Sequence, residues 1–365
     1  MTGGECPGPD LPGQLVLVFQ GGGALGAFQA GVYEAFARAG LEPDWTIGTS
    51  IGAINGAIIA GNRPQDRLTR LQSFWDGVTR HSLFPALGQS AALMEAFLAG
   101  IPGFFSPASG LFGGPFMSRG PEQAALYRTD ALKETLEAHV DFSLLGPRGA
   151  RLTVGAVSLS SGRMRYFDSR HEALDVRHVM ASSALPPAFP AVRIDGEAYW
   201  DGGIYSNSPI EAVFDDNPRR SSVIVAVQLW DAVGPEPRNL WEVAARQKDI
   251  QYASRAESHV TRQEQIHHLR HVIATLGAAL SKTRAPSARE KDLIAWGCRT
   301  EMHILRLLLP RTAGASPLAD ADFSAQSIAE RHRLGLEMAS KAIAEAPWQE
   351  AIDPTVGIVF HDYRV

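Results

Sequence analysis

The first strongly apolar stretch of the chain is Leu15–Phe19, an unbroken run of Leu, Val and Phe. Such a short run with no polar position reads as a strand buried on both faces, as in a parallel sheet. From Ala24 to Arg38 the pattern changes. Leu25, Phe28, Val32 and Phe36 recur at helical spacing, which predicts an amphipathic helix. Trp45–Gly48 predicts a second short strand, Ile51–Ala60 a second helix and Asp66–Val78 a third. Strand, glycine turn, helix, strand, turn, helix is the order of a doubly wound α/β sheet.

Further along, Asp130–His139 predicts a helix with Thr129 or Asp130 as N-cap. Arg151–Leu159 alternates as a strand, turns at Ser161-Gly162 and returns over Arg163–Phe167. Val176–Ser183 predicts a short helix that stops before Pro186-Pro187. AVRI-DG-EAYW predicts a tight hairpin with Asp195-Gly196 as its two-residue turn. Ser222–Leu229 is another buried strand, Trp241 to about Leu280 one or two long charged helices, Met302–Leu309 a late strand and Ser324–Ala346 a closing helix. The expected fold class is therefore α/β with a central, mostly parallel sheet. Its expected divisions are a disordered tail at 1–12, an α/β domain at 13–229 and a mainly helical extension at 230–365 packed on it. Residues 81–120, rich in Gly, Pro, Phe and Met and poor in charge, form an unusually apolar insertion.

Composition narrows the function classes. The chain has 365 residues, 45% hydrophobic and 20% charged, with a net charge of −5. With no basic stripe, nucleic acid is not an expected partner. Cys6 and Cys298 are the only cysteines, too few for a disulfide framework or a Cys-based metal site. No metal and no cofactor are expected. The first thirteen residues lack the charged and apolar regions of a signal peptide. The apolar stretch AFLAGIPGFF is too short and too broken by Gly and Pro to span a bilayer. Cytoplasmic residence is the default expectation, with peripheral contact at a lipid surface left open.

Two glycine motifs carry the candidate chemistry. Gly21, Gly23 and Gly26 fit the G-x-G-x-x-G spacing of a dinucleotide-binding loop. Gly48, Ser50 and Gly52 fit G-x-S-x-G, the strand–turn–helix elbow that exposes a nucleophilic serine. Small residues are needed on either side of the serine because the chain doubles back there. A dinucleotide site also wants an acid at the end of the second strand. Asp44 is near that distance but precedes the strand, and Ser50 ends it. The reading that uses both motifs makes the amides of Gly22 and Gly23, with that of Ile51, an oxyanion hole in front of Ser50. No histidine stands out as its base. His303, His332 and His361 have no distinctive setting, and His267 with His271, at i and i+4, reads as a solvated helix face. Arg246, Asp249 and Arg255 read the same way. Asp201, followed by Gly202 and Gly203, ends the second strand of the hairpin; by itself it is either another turn or a site.

Taken together, GGGALG (21–26), GTSIG (48–52) and DGG (201–203), in that order, resemble the patatin-like phospholipase family. The stretch SSALPPAFPAVRIDGEAYWDGGIYSNSP (182–209) resembles that family's segment through its catalytic aspartate. The resemblance covers roughly Leu15 to Leu229. It implies a three-layer fold and a lipid acyl hydrolase working through a Ser–Asp dyad, with Ser50 as nucleophile and Asp201 as base. It further implies Gly21–Gly26 as the oxyanion loop, and Asn207 and Pro209 as structural parts of the motif tail. The extension from about Trp230 resembles one of unknown function on some bacterial relatives. Phe97, Phe104, Phe105, Phe112, Phe116 and Met117 of the insertion are candidates for an acyl pocket or lid; core packing and contact with a lipid surface are the other readings. A lipid or acyl ester is the expected substrate. Still open are hydrolysis of short hydroxyacyl esters or thioesters, a dinucleotide-dependent oxidoreductase, and a non-catalytic interaction protein.

Overall fold

The computed structural model describes residues 10–80, 95–108, 120–146, 149–311 and 318–364, with side chains omitted at 254–260. Cys6, Phe112, Phe116, Met117, the whole of 81–94 and the side chain of Arg255 therefore lie outside the described residues.

The apolar runs become a nine-stranded sheet. Its strands are β1 (Gln14–Phe19), β2 (Trp45–Gly48), β5 (Arg151–Ser158), β6 (Met164–Asp168), β7 (Val192–Ile194), β8 (Glu197–Asp201), β9 (Ser222–Gln228), β10 (Met302–Leu308) and β11 (Ile358–Tyr363). A separate two-stranded ribbon pairs β3 (Ser106–Pro107) with β4 (Tyr127–Arg128). The order β11-β10-β9-β1-β2-β5 is parallel throughout, while β6, β7 and β8 run antiparallel to their neighbours. Alternation on β1 divides the core in two. Leu15, Leu17 and Phe19 join the larger apolar cluster on one face, and Val16 and Val18 the smaller one on the other. Helices α1 (Ala27–Arg38), α2 (Ile51–Ala60) and α3 (Pro64–Val78) follow the first strands. The Asp195-Gly196 turn has positive φ at both positions, 47° and 88°, as a two-residue hairpin requires.

Two features decide where the site forms. The amides of Arg151 and Leu159 both point to one edge of β5, bonding to Asp44 O and Ala198 O. The amide of Ser158 and the carbonyl of Leu152 point to the other edge, toward β6. Hence β2 and β8 share one edge of β5 and meet end to end: Gly48 sits opposite Val154 and Asp201 opposite Ala156. Second, residues 230–365 do not simply pack on the sheet. They supply β10 and β11 to it, and their helix α9 (Ala325–Glu345) crosses α1. The expectation that α9 closes the chain is corrected, since β11 follows it. IVFHDY mixes polar and apolar positions, as an edge strand does, and so lacks the signature of a buried run.

The histidine expectation is also corrected. His267 and His271, on the 44-residue helix α7 (Leu240–Thr283), are 1% and 3% exposed. Each places Nε2 2.9 Å from the Thr300 carbonyl oxygen, and burial pushes the His267 imidazole down to about 4. Arg246 and Asp249 on the same helix are part-buried too, with Asp249 accepting from Arg311 at 2.6 Å.

Glycines allow α1 and α9 to touch. A Cβ at Gly31 would run into the His332 carbonyl, and one at Gly335 into the Phe28 carbonyl. Gly335→Ala is expected to destabilise the whole protein by roughly 1–3 kcal/mol through overpacking. Urea unfolding followed by tryptophan fluorescence checks this. An unchanged midpoint would show that α9 is not integral to the fold.

Candidate functional site

Between β2 and α2 the chain reverses within Thr49–Ser50. Ser50 has φ 57° and ψ −126°, a backbone conformation that non-glycine residues adopt only where the surroundings enforce it. The flanking glycines explain how the reversal fits. A Cβ on Gly48 would collide with the Gly52 carbonyl, and one on Gly52 with the Phe19 carbonyl. Ser182 and Ser183, at the end of α5 (Val176–Ser182 with Ser183 as C-cap), hold the strained residue from the other side. Ser50 N donates to both Ser182 O and Ser182 Oγ at 3.1 Å, and Ser183 Oγ donates to Ser50 O at 3.2 Å.

The glycine loop lies beside this turn. The Gly21 amide donates to Asn207 O at 3.2 Å, and the Gly21 carbonyl accepts from Asn207 Nδ2 at 2.9 Å and Trp230 Nε1 at 2.7 Å. With that peptide fixed from both ends, the amides of Gly22 and Gly23 are left with no hydrogen-bond acceptor among the described residues, as is that of Ile51. Gly23 sits at φ 53°. A Cβ at Gly26 would press on Ile51 at 2.5 Å, so that glycine lets the loop lie against α2. Asp44, the acid at the spacing a ribose would want, accepts from Leu15 N at 2.8 Å and helps start β1 instead.

Asp201 ends β8 at 1% exposure. Its Oδ1 accepts from Gly203 N at 2.7 Å, while Oδ2 makes no hydrogen bond of normal geometry. Burial pushes the carboxyl up to about 7, against the pull of its two polar neighbours, the Ser50 hydroxyl and the Gly203 amide. Gly202 packs on the Gly155 carbonyl, and a Cβ on Gly203 would crowd Asn207 Oδ1 at 2.8 Å and Asp201 Oδ1 at 3.0 Å. A Cβ on Gly21 would come within 3.0 Å of the Ser50 Cβ. Residues 21–26, 48–52 and 201–203 are thus brought into one cluster. Chemically it offers a hydroxyl, a half-ionised carboxyl and a set of unpaired amides.

The insertion contributes unevenly. Phe104 is buried and packs with Phe105, Phe189 and Phe323, while Phe105 also meets Tyr127 at 4.8 Å. Phe97 is half-exposed. The segment carrying Leu126 and Tyr127 bonds to Pro187 O and Ala188 O, just beyond the serines that hold Ser50.

Sequence comparison decides the family. A family model described as patatin-like phospholipase matches residues 17–214, more than half of the chain. The chain belongs to the patatin-like phospholipase family. A second model, DUF3734, described as patatin phospholipase, matches residues 250–355. Among curated proteins the chain is 46% identical over 57 residues to the uncharacterized protein YjjU of Escherichia coli, covering 15% of this chain and 16% of that one. It is 31% identical over 93 residues to the cGAMP-activated phospholipase of Pseudomonas aeruginosa, covering 23% and 28%. These matches span less than a third of either relative. Solved structures similar to it include VipD from Legionella pneumophila, with TM-score 0.39, 16% identity and coverage of 92% of this chain and 67% of that one. Another is the SpcU–ExoU complex of Pseudomonas aeruginosa, with TM-score 0.28, 18% identity and coverage of 70% and 53%. Among the described residues of this patatin-like protein, no helix is long and apolar enough to cross a membrane.

Some residues that build the cluster carry no sequence signal of their own. Gln20 accepts from Leu229 N at 2.6 Å and donates to Tyr252 O at 3.2 Å, yet it reads as the ordinary polar end of a strand. Ser182 and Ser183 are visible only as part of the family segment.

The raised Asp201 carboxyl has a stability consequence. The folded state holds a proton that the unfolded chain releases near the usual carboxylate range. That contribution is complete in acid and is lost as pH rises through about 7. Asp201→Asn keeps the acceptor for Gly203 and removes the charge. It is expected to be more stable than the parent at pH 8, with the advantage shrinking toward pH 5. Urea midpoints at the two pH values check this; a constant difference would contradict the burial argument.

Proposed function

We propose that the protein hydrolyses acyl esters of lipids through a covalent acyl-enzyme on Ser50, with Asp201 as the only acid–base group. Asp201 takes the Ser50 proton as Oγ attacks the ester carbonyl. The oxyanion forms in front of the amides of Gly22, Gly23 and Ile51. Collapse breaks the ester C–O bond, and the Asp201 proton leaves with the alcohol. Water then attacks the acyl-enzyme, giving its proton to Asp201, and Ser50 departs with that proton.

The single observation carrying this reading is the buried Asp201 carboxyl, held near 7 beside Ser50 and facing no cation in its own site. An aspartate at its ordinary pKa is too weak a base for a hydroxyl; burial supplies the basicity that a histidine supplies in a triad. Unpaired amides beside a strained serine support the oxyanion role, since a group already bonded in the free protein has nothing to give a transition state.

A nitrophenyl-ester series from acetyl to palmitoyl tests the reading. Ser50→Ala and Asp201→Asn are each expected to lower kcat by at least about a thousandfold. Activity surviving Ser50→Ala would reject the mechanism. Preference for the shortest esters would favour hydroxyacyl or thioester substrates over lipids. The parent kcat/KM is expected to rise as pH climbs through about 7, where Asp201 loses its proton. A flat profile from pH 5 to 8 would remove Asp201 as the base.

A further inference from the structure

The candidate site has a wall that the glycine and aspartate motifs do not supply. Trp230 donates to the Gly21 carbonyl, and its ring lies 5.1 Å from that of Tyr252 on α7. The backbone of Tyr252 is tied to Gln20, at the end of β1. Beside it, the carbonyl of Asp320 blocks any side chain at Gly23, and Lys248 pairs with the Asp320 carboxylate at 2.6 Å. Arg331 fixes the same turn by donating to Ala319 O and Asp322 O. The segment matched by the second family model thus reaches the unpaired amides themselves.

Within this wall the Tyr252 hydroxyl makes no hydrogen bond among the described residues. The other polar side chains of the wall are engaged: Trp230 with Gly21, Gln20 with Leu229, Lys248 with Asp320. Burial and the nearby carboxylates of Asp201 and Asp320 push the phenol up to about 12. It therefore keeps its proton throughout the working range and stays available as a donor.

We propose that Tyr252 is a substrate-binding residue whose hydroxyl donates a hydrogen bond to the leaving-group oxygen of alkyl esters such as those of glycerol. The proposal rests on the Ser50–Asp201 reading. The acyl carbonyl oxygen has the backbone amides, and the serine proton has Asp201. The departing alkoxide is the remaining site of developing charge, and it forms near the carboxyl that will protonate it. Tyr252 packs on Trp230, which is bonded to Gly21 of the same cluster. No bond to the phenol is made or broken; the proton that leaves with the alcohol is the one Asp201 took from Ser50.

The test compares two esters of one acyl chain, p-nitrophenyl butyrate and glyceryl monobutyrate, with the full chain and Tyr252→Phe. Phenylalanine keeps the ring contact with Trp230, and equal thermal midpoints confirm an intact fold. A nitrophenolate leaves as a stable anion, whereas an alkoxide does not. Tyr252→Phe is therefore expected to lose about tenfold to a hundredfold in kcat on the glyceryl ester, the range for one hydrogen bond to a group gaining charge. On the nitrophenyl ester it should stay within about twofold. Equal losses on both substrates, or no loss on the glyceryl ester, overturn the proposal, as does a parent enzyme unable to cleave the glyceryl ester. Nitrophenyl hydrolysis that persists in Ser50→Ala identifies the other failure, that of the dyad itself.

Discussion

One edge of one strand organises the site. β2 ends on β5 opposite Val154, and β8, arriving from the opposite direction, ends opposite Ala156. Two strands that stop on the same edge leave their next residues nowhere to go but toward each other. Ser50 and Asp201, far apart in the chain, become neighbours through ladder hydrogen bonds alone. The glycines follow from this crowding, because Gly48, Gly52, Gly202 and Gly203 each sit where a Cβ would meet backbone or a site oxygen.

The same sheet treats two aspartates in opposite ways. Asp168, on β6, is also buried, but Arg151 pairs with it at 2.6 Å and Thr153 and the Arg170 amide donate to it. Despite burial, it is held below the usual carboxylate range. Asp201 is buried more completely and faces one backbone amide and the Ser50 hydroxyl in place of a guanidinium. Burial decides where no cation opposes it. Asp168 is thereby a fixed anion that stitches strands together, and Asp201 a carboxyl able to exchange its proton near neutrality.

Much of this was legible in the chain because it is local. Apolar runs marked the buried strands, glycine spacing marked the elbow, and Asp-Gly marked the hairpin. What escaped depends on partners distant in the chain. His267 and His271 have the spacing of a helix surface, and only the Thr300 carbonyl shows that this surface is interior. β11 reads as polar because an edge strand needs little apolar sequence. Gln20 and Tyr252 gain their roles from each other, across 232 residues, and no local pattern can encode that. The boundary drawn at residue 229 marks where the motif resemblance ends, while the core continues past it.

The pairing of β1 with β9 carries a consequence for how the molecule is born. Gln14 lies opposite Ser222, so β1 must wait for a partner 208 residues further along before one of its two neighbours exists. The next neighbour of β9, β10, comes later still. Parallel strands separated this way close large loops before they gain contacts, and such topologies fold slowly. Until β9 has been made, the nascent chain carries an apolar strand edge open to intermolecular pairing.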